Sequence, residues 1–212
     1  MTQKQADTNH TADTKAAPDK AVAFIKQGKL GEAIECCDNA IKSNPQSPHP
    51  HSTKGDALAA QGKPDEAIKC YDEAIKLLPK PSTLSSIYYN KGLTLSRQNK
   101  MDDALKCYDE AIRLYPHPEA YYNKGMILED QGNLDGALKC YDEAIRLEIP
   151  YAADAHYNKG LILSKQGEFH NALKCYMSAL SAAEVADSII TTDEIRNTIE
   201  ETRQRINDTK KK

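Results

Sequence analysis

Residues 88–112 read YYNKGLTLSRQNKMDDALKCYDEAI, and the architecture of the chain follows from them. Tyr88, Gly92 and Leu95 fall at i, i+4 and i+7, and after a short break Ala104, Tyr108 and Ala111 repeat that spacing. Each half carries one apolar stripe at the 3.6-residue period of a helix. A helix of about 12–14 residues is marginal in water by itself. The stripe must pack on a neighbour, and that neighbour on another, so only a stack is stable.

The same two phrases recur outward in both directions. GEAIECCDNAI at Gly31, DEAIKCYDEAI at Asp65, DDALKCYDEAI at Asp102, DGALKCYDEAI at Asp135 and HNALKCYMSAL at His170 are five versions of one segment. Their anchoring alanines, Ala33, Ala67, Ala104, Ala137 and Ala172, are separated by 34, 37, 33 and 35 residues. Four copies are preceded by HSTKG at His51, YYNKG at Tyr88, YYNKG at Tyr121 and HYNKG at His156. Turn signals such as Gln61-Gly62-Lys63 and Gln131-Gly132-Asn133 lie between the phrases, and Pro45, Pro79, Pro116 and Pro150 follow most copies. Each repeat therefore reads as helix, tight glycine turn, helix and proline stop. Gly92 is expected to face the region of Ala104 and Ala111, and Gly125 that of Ala137 and Ala144, with Tyr71, Tyr108, Tyr141 and Tyr176 filling the larger space of each layer.

A unit of about 34 residues, small at its eighth, twentieth and twenty-seventh places and closed by proline, resembles the tetratricopeptide repeat (TPR). The resemblance spans roughly residues 18–183 in five copies. It implies an all-α, right-handed superhelical solenoid of five helix-turn-helix units with a C-terminal capping helix. The expected organisation is a disordered polar tail at 1–17, an array at 18–186 and a capping helix at 191–207, with a basic tail at 208–212. The repeats themselves fall at about 14–47, 48–81, 85–117, 118–151 and 153–186. The first repeat lacks the Tyr-Asn-Lys-Gly phrase and has Cys37 at the aromatic place, as a worn terminal cap would. An insertion near Lys80–Ser82 is expected to lengthen one connection, and the second helix of the fifth repeat to run on to about Ala186. Thr192 or Asp193 is the expected cap of a final helix whose Ile195, Ile199 and Ile206 share one side.

Composition excludes several function classes. The net charge is −3, with 28 Lys and Arg against 31 Asp and Glu, which leaves no basic surplus for nucleic acid. No apolar run approaches the ~18 residues of a membrane span, and Met1 to Lys20 lack the apolar core of a secretory signal. Cytoplasm is the expected compartment, with export by a route that needs no cleaved signal left open. Cys36, Cys70, Cys107, Cys140 and Cys175 hold one place in successive repeats, about 8–10 Å apart at the closest. A disulfide needs Cα atoms within about 7 Å, so free thiols packed as apolar filler are expected, as in a reducing compartment. The histidines lack zinc-ligand neighbours, and phosphate loops, nucleophile elbows and His-Glu-x-x-His are absent. No enzyme, cofactor or metal is expected. The acidic pairs Asp72-Glu73, Asp109-Glu110 and Asp142-Glu143 read as solvated outer-face charges.

In the family that the repeats resemble, first helices line a concave groove. That resemblance places Tyr89, Asn90, Leu93 and Arg97 of the third repeat in a peptide-binding groove. The fourth contributes Tyr122, Asn123, Met126, Glu129 and Asp130, and the fifth Tyr157, Asn158, Leu161 and Lys165. The chemistry suits a peptide guest, because an Asn amide both donates and accepts and Tyr offers flat area with few rotamers to freeze. The implied function is an adaptor or scaffold that binds an extended or helical segment of a partner protein. The carboxylate clamp of chaperone-binding members is incomplete: Ser52 and Asp56, Asn90, then Glu119 and Asn123 match it only at Asn90. Chaperone C-terminal tails are therefore not expected partners. Two alternatives are a self-assembling structural solenoid, and an effector-type protein delivered to a host cell.

Overall fold

The computed structural model describes residues 19–77, 79–147, 152–185 and 188–209. The expected polar tail at 1–17, the lysines at 210–212 and the proline stop at Pro150 lie outside them. All regular structure among the described residues is helical. The order is α1 (residues 19–26), α2 (Leu30–Ser43), α3 (Pro48–Ala60), α4 (Pro64–Lys76), α5 (Pro81–Arg97) and α6 (Met101–Leu114), then α7 (Pro118–Asp130), α8 (Leu134–Arg146), α9 (Ala152–Lys165), α10 (Phe169–Ala183) and α11 (Thr192–Thr209). Two compact units divide the chain, residues 1–115 and 116–212. In the first, α2 to α6 each pack on the next helix, and in the second α7 to α11 do the same.

Five turns join the helices within repeats, and all use one device. Gly28, Gly62, Gly132 and Gly167 have φ between 73° and 82°, and Asn99 takes the same left-handed conformation at 62°. In each turn this residue donates its N–H three residues back, and its successor closes a wider ring: Gly62 to Ala59 and Lys63 to Leu58, Asn99 to Ser96 and Lys100 to Leu95. This paired bonding satisfies carbonyls that a helix end would leave open. Asn is the substitute for Gly that left-handed geometry tolerates best.

The core is built from a repeated fit of tyrosine into glycine. Tyr71, Tyr108, Tyr141 and Tyr176 are at most 1% exposed. A Cβ added at Gly55, Gly92, Gly125 or Gly160 would stand 2.5–2.8 Å from the ring of the respective tyrosine. The glycine thus faces the tyrosine of its partner helix, and at Gly92 and Gly125 also Cys107 and Cys140, within the regions of Ala104–Ala111 and Ala137–Ala144. Ala67, Ala104, Ala137 and Ala172 are fully buried, small enough to let helices approach closely. None of the six cysteines forms a disulfide, and Cys37, Cys107 and Cys140 are buried. Burial pushes the Cys37 thiol up to about 12, so it stays protonated and inert.

Three expectations about the connections are corrected. The insertion near Lys80–Ser82 does not lengthen a loop; α5 absorbs it and runs 17 residues from Pro81. Just after the added turn, buried Ser85 donates to the carbonyls of Ala111 at 2.8 Å and Tyr115 at 3.3 Å, at the end of α6. Helix α10 stops at Ala183 rather than near Ala186. The cap of α11 is Thr191, neither Thr192 nor Asp193: Glu194 N–H donates to Thr191 Oγ1 at 3.2 Å, and Thr191 N–H donates to Glu194 Oε2 at 2.9 Å. That reciprocal pair is a capping box. Ile195, Ile199 and Ile206 of α11 are buried, the first two against Tyr176 and Ala179 of α10.

Candidate functional site

The groove residues read from the sequence lie on first helices, and each compact unit holds its own set. In the N-terminal unit, α5 carries Tyr89, Asn90 and Leu93 half-buried and Arg97 exposed. In the C-terminal unit, α7 carries Asn123 and Glu129 half-buried, Met126 at 42% exposure and Asp130 exposed. Helix α9 carries Tyr157, Asn158 and Leu161 half-buried and Lys165 exposed. Tyr122 is 7% exposed and belongs to the core cluster of Tyr141 and Ile162, so its ring supports the face from beneath rather than standing open on it.

The tyrosines of these helices are tied to the core tyrosines. Ring centroids lie 6.1 Å apart for Tyr89–Tyr108, 5.9 Å for Tyr122–Tyr141 and 5.4 Å for Tyr157–Tyr176, all tilted. Such pairs hold the rings in place. Tyr157 is engaged a second time, its hydroxyl lying 3.1 Å from Thr198 Oγ1 of α11, and with Leu161 it packs on the α10–α11 cluster.

The asparagines are also part of a network. Asn90 Nδ2 donates to Asp56 Oδ1 at 3.0 Å, and Tyr71 Oη donates to the same oxygen at 2.8 Å. Asn158 Nδ2 donates to Tyr122 Oη at 3.3 Å. One of the two amide N–H groups at each of these asparagines is thus committed inside the protein. Glu129 joins Tyr141 Oη, at 2.9 Å, to Lys165 Nζ, at 3.5 Å. Burial first, and the adjoining carboxylate second, raise Tyr71 and Tyr141 above the ordinary phenol range, so both hydroxyls remain donors.

Asp56 escaped the sequence reading as a site residue. It occupies the place that Leu93, Met126 and Leu161 take in later repeats, and that single departure was its signal. Burial lifts its carboxyl to about 6, against the lowering effect of its bonds from Tyr71 and Asn90. A second network escaped as well. Lys54 Nζ meets Asp38 at 2.6 Å, Lys91 meets Asp72 at 2.6 Å, and Lys159 pairs with Asp142. At Lys54, Lys91 and Lys159 the lysine of the recurring first-helix phrase therefore reaches back to the preceding repeat. Asp72 and Asp142 are links between repeats as well as the solvent-facing charges expected from the sequence. The third missed residue is Asp154, fully buried in α9, which accepts from Ser188 Oγ at 2.9 Å and Ile190 N–H at 3.2 Å. It anchors the segment before α11.

Among the described residues no group of three His, Cys, Asp or Glu side chains could hold a metal ion, and no helix is long and apolar enough to cross a membrane. Family models of the tetratricopeptide repeat match residues 19–47, 46–117, 89–147 and 153–183. The chain belongs to the tetratricopeptide repeat family. No curated protein sequence matches this TPR chain. Among solved structures it is similar to Pseudomonas aeruginosa PilF, at 16% identity over 93% of this chain and 92% of that one, with a TM-score of 0.74. It is similar to MamA at 22% identity over 77% and 94%, with a TM-score of 0.67. YrrB, a TPR protein with an unusual peptide-binding site, matches at 20% identity over 87% and 94%, with a TM-score of 0.62. At these identities the likeness shows the fold, an all-α repeat of the solenoid class. TPR proteins as a family are interaction scaffolds, and this chain is one of that general kind.

Proposed function

We propose that the chain is an adaptor that holds an extended or helical segment of a partner protein against first-helix faces, each unit presenting its own: α5 in one, α7 and α9 in the other. The observation that carries this reading is the division of labour along the repeats. Second helices spend their alanines and tyrosines on the core, while first helices keep half-buried Asn90, Asn123 and Asn158 at one recurring place. Exposed Met126 supplies adaptable apolar contact beside Asn123. Arg97, Asp130 and Lys165 differ from repeat to repeat and are exposed, which suits them to partner selection. An asparagine amide both donates and accepts, which suits it to a guest backbone. The acidic net charge favours a protein guest over a nucleic acid. At Asn90, the place that matches the chaperone clamp, Asp56 already occupies the amide; a carboxylate-ended tail would meet a carboxylate there.

The test is affinity capture with mass spectrometry, comparing wild type with the triple Asn90→Ala, Asn123→Ala, Asn158→Ala variant. Partners retained by wild type are expected to fall about tenfold or more with the variant, the loss of one or two hydrogen bonds per guest contact. Helicity by circular dichroism should be unchanged. Equal capture by a folded triple variant refutes the groove.

A further inference from the structure

By repeat register the two compact units contain the same step between adjacent repeats, once with a carboxylate and once without. In the C-terminal unit the positions of the step from α7 to α9 are Glu129, Gly132, Leu134, Ile162, Lys165 and Gln166, with Glu129 bonded to Lys165. By repeat register, the step from α3 to α5 in the N-terminal unit brings together Ala59, Gly62, Pro64, Thr94, Arg97 and Gln98. In the first, the Glu129 carboxylate spans Tyr141 Oη and Lys165 Nζ. In the second, alanine stands where the glutamate would be. Those six residues line a recess of about 260 Å³.

Three features show what the recess would accept. Arg97 replaces Lys165 as the cation, and among the described residues no carboxylate lies within ion-pair distance of it. Its planar fork matches a carboxylate better than an ammonium does. Gln98 Nε2 donates to Asp65 at 2.9 Å, which leaves Gln98 Oε1 buried with no donor. The amide thus walls the recess and contributes no carboxylate to Arg97. The nearby Asp65 has Gln98 and, at 3.8 Å, Lys100 against it. Asp56 is turned to Tyr71 and Asn90. The core tyrosine needs nothing more, because Tyr71 already has Asp56.

We propose that this recess is a carboxylate subsite of the binding face, in which a glutamate side chain of the guest enters the recess and pairs with Arg97. A side-chain carboxylate is the occupant because the chain fills its own equivalent step with one, Glu129. The subsite rests on the groove reading above but differs from the clamp positions, since Arg97 lies about two helical turns beyond Asn90.

The experiment is an ¹⁵N-edited NMR titration of the full chain with N-acetyl-glutamate α-methylamide, whose only carboxylate is the side chain. Saturable shifts of the Arg97 Nε–H and Gln98 Nε2–H signals are expected. They should be absent with the glutamine analogue and in Arg97→Gln, and retained in Lys165→Gln. Ala59→Glu, which supplies the missing carboxylate from within, should move the Arg97 signal without ligand and weaken the probe at least tenfold. Arg97→Gln, on an exposed side chain, carries the test if Ala59→Glu does not fold. Equal response to the glutamine analogue, or saturable binding that survives Arg97→Gln, overturns the subsite. Tighter binding of N-acetyl-alanine, which offers a terminal carboxylate, overturns the side-chain occupant. The titration uses no partner, so its failure leaves the capture result standing, and a failed capture leaves the titration standing.

Discussion

Asp56 is the residue at which chemistry departs furthest from the repeat pattern. Its folded pKa, raised by burial to about 6 from an ordinary 3.8, means that between those values the folded chain keeps a proton the unfolded chain has released. Stability is therefore highest at the acid end of that window and declines as pH rises through about 6. Asp56→Asn removes the titration while keeping an acceptor for Tyr71 and Asn90. Relative to wild type, the variant is expected to gain about 2 kcal/mol between pH 4 and pH 7, from a shift of roughly two units at about 1.4 kcal/mol each, less some solvent screening. Urea unfolding at both pH values measures it, and a difference that does not change with pH contradicts the assignment. The glycine–tyrosine fit is the other residue-scale lesson. Gly125 tolerates no methyl because the Tyr141 ring edge lies 2.8 Å from where a Cβ would be.

At the scale of elements, helix ends do more than stop helices. Left-handed closures set the sharp return inside each repeat, and Pro48, Pro64, Pro81 and Pro118 open the next helix where no N–H is needed. The lysine–aspartate pairs between repeats are half-exposed at one or both ends, so each adds at most about 1 kcal/mol and serves mainly to hold alignment. The capping box at Thr191 is worth more per residue. Thr191→Ala should lower unfolding free energy by about 1 kcal/mol and speed amide exchange in the first turn of α11. Unchanged exchange at residues 192–195 would show that Asp154 alone fixes that end.

For the whole molecule, stability is a sum of neighbour contacts, because each helix pair leaves one face unfinished. Ala137 sits fully buried in the core cluster with Tyr141 and Ile162. Ala137→Glu puts an unpaired carboxylate there, at a cost of at least about 4 kcal/mol in burial and overpacking together. Far-UV circular dichroism is expected to lose helicity, and limited proteolysis to cut first within residues 116–185. A melting midpoint within about 2 °C of wild type would contradict the packing assigned to this alanine.

Sequence by itself determined the number and kind of helices, the turns and the buried alanines. These depend on spacing within a dozen residues, and five near-copies make that spacing unmistakable. It also named the helices that carry the candidate face. Tertiary structure alone decided which groups on that face are spent: Asn90 on Asp56, Asn158 on Tyr122, and Tyr157 on Thr198. It also decided that Gly92 meets a tyrosine, that Asp72 and Asp142 tie repeats together, and that Arg97 overlooks a recess. The reason is distance along the chain. These partners are about 15 to 40 residues apart, and their meeting depends on how one repeat seats on the next, which helical period does not encode.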